Sequence, residues 1–499
     1  MRALVFFSLF VSLPALSQTT PDFISAKALG GDTTVYFKGQ SLQSFNQPAA
    51  NLTADEVAFH TDGDAQFERN FSDELHNFNY GLGPVFNNTS CASCHAKDGR
   101  GALPVVPGGN TWVQLMQNES VFLRISIEDG TEENQVKSIV NNWGAPKAVP
   151  GFSTQLFHLG SYGLREDQPS VGQAQVFMNY EKFTFTYPDG RAVEIRRPIF
   201  RIENPYDLVI DPKTGAKSSR LFQPDVRIGA RIGTPMIGLG LLEAIKESDI
   251  IALAARDLSK EGVHGKANYV FDIEKQMAGN PYPVSIGRFG LKNNTPSVFH
   301  QSMGALQGDI GVTNYAFPLE SIFNTPLFDA FKHKLGDIKV EATKEVADAL
   351  VFYSTTLAVP GRRDTESEIV QRGGQLFASV SCTSCHQPSF TTGPHKIAAL
   401  ANQKIYPFTD MLLHDMGEGL ADGRRDFDAN GRQWKTRPLW GIGQTQTINP
   451  RAGFLHDGRA RTLEEAILWH GGEGEYSKNK FVNLPQADRD ALVAFLKSL

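Results

Sequence analysis

All four cysteines of the chain fall into two copies of one five-residue frame, Cys91-Ala92-Ser93-Cys94-His95 and Cys382-Thr383-Ser384-Cys385-His386. C-x-x-C-H is the attachment motif of haem c. Two thiols one helical turn apart can form thioether links to both vinyl groups of one haem, and the adjacent histidine then directs a ring nitrogen at the iron. Three other readings compete. A thioredoxin-like C-x-x-C needs no following histidine and belongs on a βαβ unit, for which the chain shows no pattern. A four-thiolate zinc site would use both pairs but leaves both histidines unexplained. Structural disulfides suit an exported protein in general, but they do not call for a repeated C-x-S-C-H frame. Two covalently held haems c are therefore expected, with His95 and His386 as proximal iron ligands.

A chain of 499 residues is too long for one core and predicts several domains. A net charge of -6, with no basic stripe of interleaved aromatics, argues against nucleic-acid binding. The 46 Gly and 27 Pro predict short helices separated by loops. The N-terminus reads as an address: Arg2, an apolar run from Ala3 to Leu13, then Ala15-Leu16-Ser17, an A-x-A-like cleavage site. Residues 1–17 are predicted to be a signal peptide that sends the protein to the periplasm. No later segment has the apolar length of a membrane span.

The two motifs head what reads as a duplicated unit. Each has a phenylalanine five residues before its first cysteine, Phe86 and Phe377. Glu366–Phe377 is predicted to be an amphipathic helix leading into the second motif. Asn483–Leu499 is predicted to close the second unit as a helix, with Pro485 in its first turn. Its Asp490-Ala491-Leu492-Val493 repeats Asp348-Ala349-Leu350-Val351, which opens a helix running to about Leu357 before Pro360-Gly361 stops it. Pro235–Gly240 and Pro438–Gly443 form a weaker echo. The expected division is an extended segment over 18–69, an N-terminal haem domain over 70–360 and a C-terminal cytochrome c-like haem domain over 361–499. The first domain is much larger than a haem fold needs. The alternating Phe183–Tyr187, Pro188-Asp189-Gly190 and Ala192–Ile195 predict a hairpin within the surplus. The expected fold class is mainly α, with a loop-rich, partly β insertion in the first of two cytochrome c-like domains.

Over most of its predicted mature length the chain resembles the di-haem oxidoreductase family of peroxidase-like proteins, also described as thiol-oxidoreductase-like di-haem c-type cytochromes. The resemblance rests on segments such as GLGPVFNNTSCASCHAKDGRG (81–101), LVFYSTTLAVPGRRD (350–364), LLHDMGEGLADG (412–423) and FLHDGRARTLEEAILWHGG (454–472). The last segment also resembles the more distant bacterial di-haem cytochrome c peroxidases. The word thiol finds no support in these residues, because haem attachment uses every cysteine.

The sixth ligand of each iron decides between passing electrons and binding peroxide. Thr462-Leu463-Glu464-Glu465 is a capping box, so a helix starts there and ends at His470 before Gly471-Gly472. In the related peroxidases the distal ligand of the C-terminal haem follows this helix, and His470 occupies that place. A histidine stabilised by a helix C-terminus is the bland alternative, and Met416 is the rival ligand. No distal partner stands out for the N-terminal haem; His300 and Met303 lack supporting context. The resemblance implies that this iron is open and catalytic. Glu243 and Glu320 are the candidates for moving a proton there, each with the competing reading of a helix-surface carboxylate. It also implies that His456-Asp457-Gly458-Arg459, otherwise a tight Asp-Gly turn before the capped helix, packs near haem with Arg459 on a propionate, and that Trp440, otherwise a buried core tryptophan, lies between the haems. Asp426–Gly431 matches half of a calcium loop, but its twelfth position is Arg437 rather than Glu; a Ca2+ ion is kept as an expectation from the relatives. The expected partners are a small periplasmic electron donor, a cytochrome c or cupredoxin, and a small-molecule oxidant, peroxide. A plain di-haem electron carrier and an enzyme oxidising a partner protein are the alternatives.

Overall fold

The computed structural model describes residues 21–74, 79–128, 137–138, 142–166, 168–334 and 340–499; the predicted signal peptide lies outside them. Six helices matter for the sites: α1 (Ala54–Glu68), α2 (Val298–Asp309), α3 (Lys344–Thr356), α4 (Glu368–Ser379), α5 (Leu463–Leu468) and α6 (Gln486–Ser498). Helix α1 packs on α3, and α4 packs on α6.

Each pair crosses at a glycine. A Cβ on Gly63 would come within 2.2 Å of the Ala349 carbonyl oxygen, and a Cβ on Gly373 within 1.9 Å of that of Ala491. Only a residue without a side chain lets the backbones approach this closely. Ala349 and Ala491 hold the same place in the repeated Asp-Ala-Leu-Val, so the echo marks the crossing. Six residues further on, the carbonyls of Thr355 and Lys497 lie over Gly240 and Gly443, at 2.3 and 2.0 Å from a built Cβ. Four residues after the crossing glycines come Phe67 and Phe377, each 6.2 Å from the imidazole of its own motif, His95 and His386. The counterpart of Phe377 is thus Phe67. Phe86, which the spacing pointed to, lies in a two-residue strand.

The Pro235 and Pro438 loops meet where the two units join. Gly238 and Gly441 both have left-handed backbones, with φ of 68° and 72°. A Cβ on Gly238 would strike Trp440, and one on Gly441 would strike Ile237. The third residue of each loop therefore packs on the glycine of the other, the reciprocal contact of a local two-fold.

The insertion of the first unit contains four longer strands: β1 (Val121–Ile127), β2 (Gln175–Thr186), β3 (Ala192–Glu203) and β4 (Val226–Ile232). Antiparallel β1 is flanked by β4 and the short strand 155–156, while β2 pairs with β3 in register from Gln175↔Glu203 to Thr186↔Ala192. Alternate residues turn inward, and Leu123, Ile125, Val176 and Met178 build a core of their own. The hairpin turn falls on Pro188-Asp189-Gly190, with Gly190 at φ 87°.

Two expectations need correction. The fold is not mainly α: 32% of the described residues are helical and 18% are in strands or bridges, so helices are only part of a mixed structure. Many of the strands have two or three residues and pair across long sequence separations, where local periodicity carries little signal. The segment 18–69, expected to be extended, holds the 15-residue α1 with a complete Thr53/Glu56 capping box. Before α1 the chain wraps the second unit, with Phe23 edge-on to Phe408 and Phe495. No helix of the described residues is long and apolar enough to cross a membrane.

Candidate haem sites

Each C-x-x-C-H frame opens onto its own cavity. The first encloses about 1140 Å³ of free space and the second about 1610 Å³, mouths included. Cys91 and Cys94 line the first and Cys382 and Cys385 the second, so the four sulfurs do not converge as a zinc site requires. All four are unbridged thiols. Burial pushes Cys91, Cys94 and Cys382 up to about 12, which keeps them protonated.

The imidazoles are set as iron ligands would be. His95 Nδ1 lies 2.7 Å from the Thr234 carbonyl, and His386 Nδ1 lies 2.9 Å from that of Phe408. Burial lowers the pKa of both, that of His386 to about 4. A neutral ring donating from Nδ1 carries its lone pair on Nε2. His470 has the same form: burial lowers its pKa, its Nδ1 bonds to the Ala466 carbonyl at 2.8 Å, and it lines the second cavity with His386. Thr462 caps the helix that delivers it, its hydroxyl accepting from Glu465 N–H at 3.1 Å. Met416 lines the same cavity, packed with Leu291, Leu420 and Trp434.

Among the described residues the first cavity has no such second imidazole. Helix α2 faces it with Val298, Gln301, Ser302, Ala305 and, at its end, Asp309, which accepts from Gln155 at 2.9 Å. His300 and Met303 point elsewhere: His300 sits between Phe271 and Phe317, and Met303 is buried in a separate apolar cluster. Met236 reaches the lining, packed among Phe67, Tyr353 and Leu357 on the side that holds His95. Gln301 accepts from the Thr295 hydroxyl at 2.9 Å, which leaves its amide NH2 for the cavity.

Several predicted residues lie elsewhere. Glu243 is on neither lining; it accepts from Val298 N–H at 2.8 Å, capping α2, and its other oxygen lies 3.3 Å from His395. Glu320 is also off both linings, beside Glu341, and burial raises its pKa to about 8. Arg459 is held by Asp457 at 2.8 Å and lies over the Trp469 ring, not on a cavity wall. Asp426 pairs with Arg424 and Asp428 with Lys137, so this segment offers no calcium cage. Cys385, Asp410 and His414 cluster within 4.8 Å, but both His414 nitrogens are committed, to Asp410 at 2.9 Å and Glu473 at 2.7 Å.

Of the residues between the cavities, the sequence pointed only to Trp440. Pro235, Lys435, Arg437, Pro438 and Trp440 line both. Arg437 has no hydrogen bond or ion pair to any described residue, and burial lowers its pKa to about 10. A cation without a protein partner in a cavity wall fits an anionic group of whatever fills it. Its only sequence signal was its failure to be a calcium ligand.

The profile described as "Di-haem oxidoreductase, putative peroxidase" matches residues 23–499. The chain belongs to this di-haem oxidoreductase family. Two haems follow from the family, and the two cavities with their imidazoles, paired thiols and unpartnered Arg437 fit them. No curated protein matches. Hydrazine synthase of Kuenenia stuttgartiensis, a solved structure, is 19% identical over 37% of this chain and 65% of that one, at a TM-score of 0.21. The chain thus spans under two thirds of that protein's length, and a likeness this slight bears on neither fold nor function.

Proposed function

We propose that this di-haem oxidoreductase is an exported c-type cytochrome that takes electrons from a small periplasmic donor, a cytochrome c or cupredoxin, and reduces peroxide at its N-terminal site. The inequality of the two cavities carries the reading. His386 and His470 both offer Nε2 to the second cavity, whereas α2 brings Gln301, Ser302, the carboxylate of Asp309 and apolar residues, but no imidazole, to the first. When bound through thioethers to Cys91/Cys94 and Cys382/Cys385, the haems supply a one-electron relay at the second site and a peroxide-binding iron at the first.

The remaining work falls to the chain. Thr234 and Phe408 fix the tautomers of His95 and His386. Gln301 NH2 can hold an oxygen of peroxide, and the Ser302 hydroxyl can pass a proton between the two oxygens, since reduction of peroxide to two waters consumes two protons and two electrons. Arg437 and Lys435 offset carboxylate charge in the shared wall. Trp440, 4% exposed and lining both cavities, excludes water from the space between them.

The test is an EPR and optical titration of the haem-loaded protein before and after half-reduction, followed by peroxide. One high-spin and one low-spin haem, with peroxide-dependent oxidation of reduced cytochrome c, is the expected result. Two low-spin haems that ignore peroxide in both states would make the protein an electron carrier and overturn the proposal.

A further inference from the structure

The β2–β3 hairpin belongs to the insertion of the first unit, yet its turn is docked on the second. Tyr187 is 2% exposed and lies between two guanidinium groups, Arg191 at 4.3 Å and Arg489 at 4.2 Å from its ring centroid. Its hydroxyl donates to Glu464 at 2.7 Å, and Arg191 donates to the same carboxylate. Asp189, in the turn, accepts from Arg489. Further along the hairpin Glu194 accepts from Arg461, and Phe183 stands edge-on to Trp469, ring centroids 6.1 Å apart at 89°. These contacts hold α5 just before its start, in its first turn and at the residue that caps its end.

Helix α5 needs such support. It has six residues, too few to stay helical in water unaided. The Thr462 cap fixes its entrance alone. Its direction is set by what packs against it, and His470 follows Trp469 directly.

We propose that the hairpin is a strap that positions His470 at the C-terminal cavity, so that an element of the first unit governs how firmly the second unit's haem keeps its sixth ligand. This rests on the reading of His470 as that ligand. Tyr187, Arg191 and Phe183 are positioning residues, acting through Glu464 and Trp469. The strap also touches α6 at Arg489, through Asp189 and the Tyr187 ring, but the α4–α6 crossing itself is Gly373 on Ala491, so removing only the two donors to Glu464 frees His470 without dismantling the second unit.

The experiment uses the full-length, haem-loaded ferric protein and cyanide as the external ligand. In the double variant Tyr187→Phe/Arg191→Met, both donors to Glu464 are gone. The expected result is a new high-spin fraction from the C-terminal haem and slow-phase cyanide binding about tenfold faster, the population shift expected from losing a charge-assisted hydrogen bond. Arg191→Lys restores the charge and should return the rate towards that of the unaltered protein. Glu464→Gln, which keeps the side-chain shape, serves if the double variant folds poorly. His470→Ala separates the two ideas. If it becomes high-spin while both strap variants keep the original spectrum and cyanide rate, the strap is overturned and the ligand assignment stands. If it stays low-spin, the ligand assignment itself falls.

Discussion

Gly63 and Gly373 stand at the same point of two copies of one helix crossing, and the cavities beside them have diverged. Backbone features repeat closely: the carbonyls of Ala349 and Ala491 over the glycines, Phe67 and Phe377 at one distance from His95 and His386, and the left-handed Gly238 and Gly441 where the loops meet. Beside the two C-x-x-C-H frames the wall side chains repeat as well, Phe67, Ser90 and Leu350 recurring as Phe377, Ser381 and Leu492, but on the facing walls they do not. The second cavity receives His470 from a short capped helix, and the first receives Gln301, Ser302 and Asp309 from a long one. Close backbone packing tolerates no added atom, whereas a cavity wall accepts many side chains. The two crossings thus share a backbone frame while the chemistry of the cavities beside them differs.

The sharpest way to erase that difference is His470→Ala. The C-terminal haem should go wholly from low-spin to high-spin in EPR, giving two open sites where there was one. His470→Met should stay low-spin through a sulfur ligand and raise the potential relative to two imidazoles. Met416→Ala should leave the spectrum unchanged; loss of the low-spin signal there would move the assignment to Met416.

The opposite wall can be tested with Gln301→Leu. Peroxide turnover should fall by about 100-fold, the lower range for a positioned proton-handling or orienting group, with the low-spin signal of the second site unaltered. An unchanged kcat/KM for peroxide would remove Gln301 from the reaction.

The frame predicts symmetry instead. Gly63→Ala and Gly373→Ala each drive a Cβ into a carbonyl oxygen. Each should cost about 2–3 kcal/mol in chemical denaturation, in the range for overpacking, and each should release haem first from its own unit. A large effect from one and none from the other would show that the crossings are not equivalent.

How much of this was legible depended on whether neighbours in sequence were neighbours in space. The C-x-S-C-H frames, the Asp-Ala-Leu-Val echo, the hairpin turn at Asp189-Gly190 and the helix delivering His470 are all local. Phe86 misled because α4 leads straight into Cys382, whereas α1 ends at Glu68, well before Cys91. Spacing stopped measuring structural equivalence once the intervening chain had lengthened. On α2, His300 and Met303 drew attention as ligand types, but helical periodicity puts Gln301, Ser302 and Ala305 on another face, and nothing local says which face meets the cavity. Arg437 was invisible for a similar reason: a lone arginine acquires meaning only when two distant segments enclose it.

The smallest expected effect on turnover concerns Glu320, whose carboxyl was a candidate for handling protons at the first site. It lies off both cavity walls, and one of its oxygens is buried without a hydrogen-bond partner. Burial, then the nearby Glu341, raises its pKa to about 8. The folded protein thus keeps a proton that the unfolded chain releases near 4.5. Where the native state binds more protons, stability falls as pH rises. The contribution of Glu320 is fully present below pH 4.5 and is lost as pH climbs through about 8. Glu320→Gln should therefore match the unaltered protein at pH 4, exceed its stability at pH 9 by roughly 2–5 kcal/mol, and leave peroxide turnover intact. A turnover loss comparable to that of Gln301→Leu, with no change in the stability profile, would put Glu320 back into the chemistry. It would also make the first cavity more like the second in one respect: part of its function would come from a residue outside its own walls.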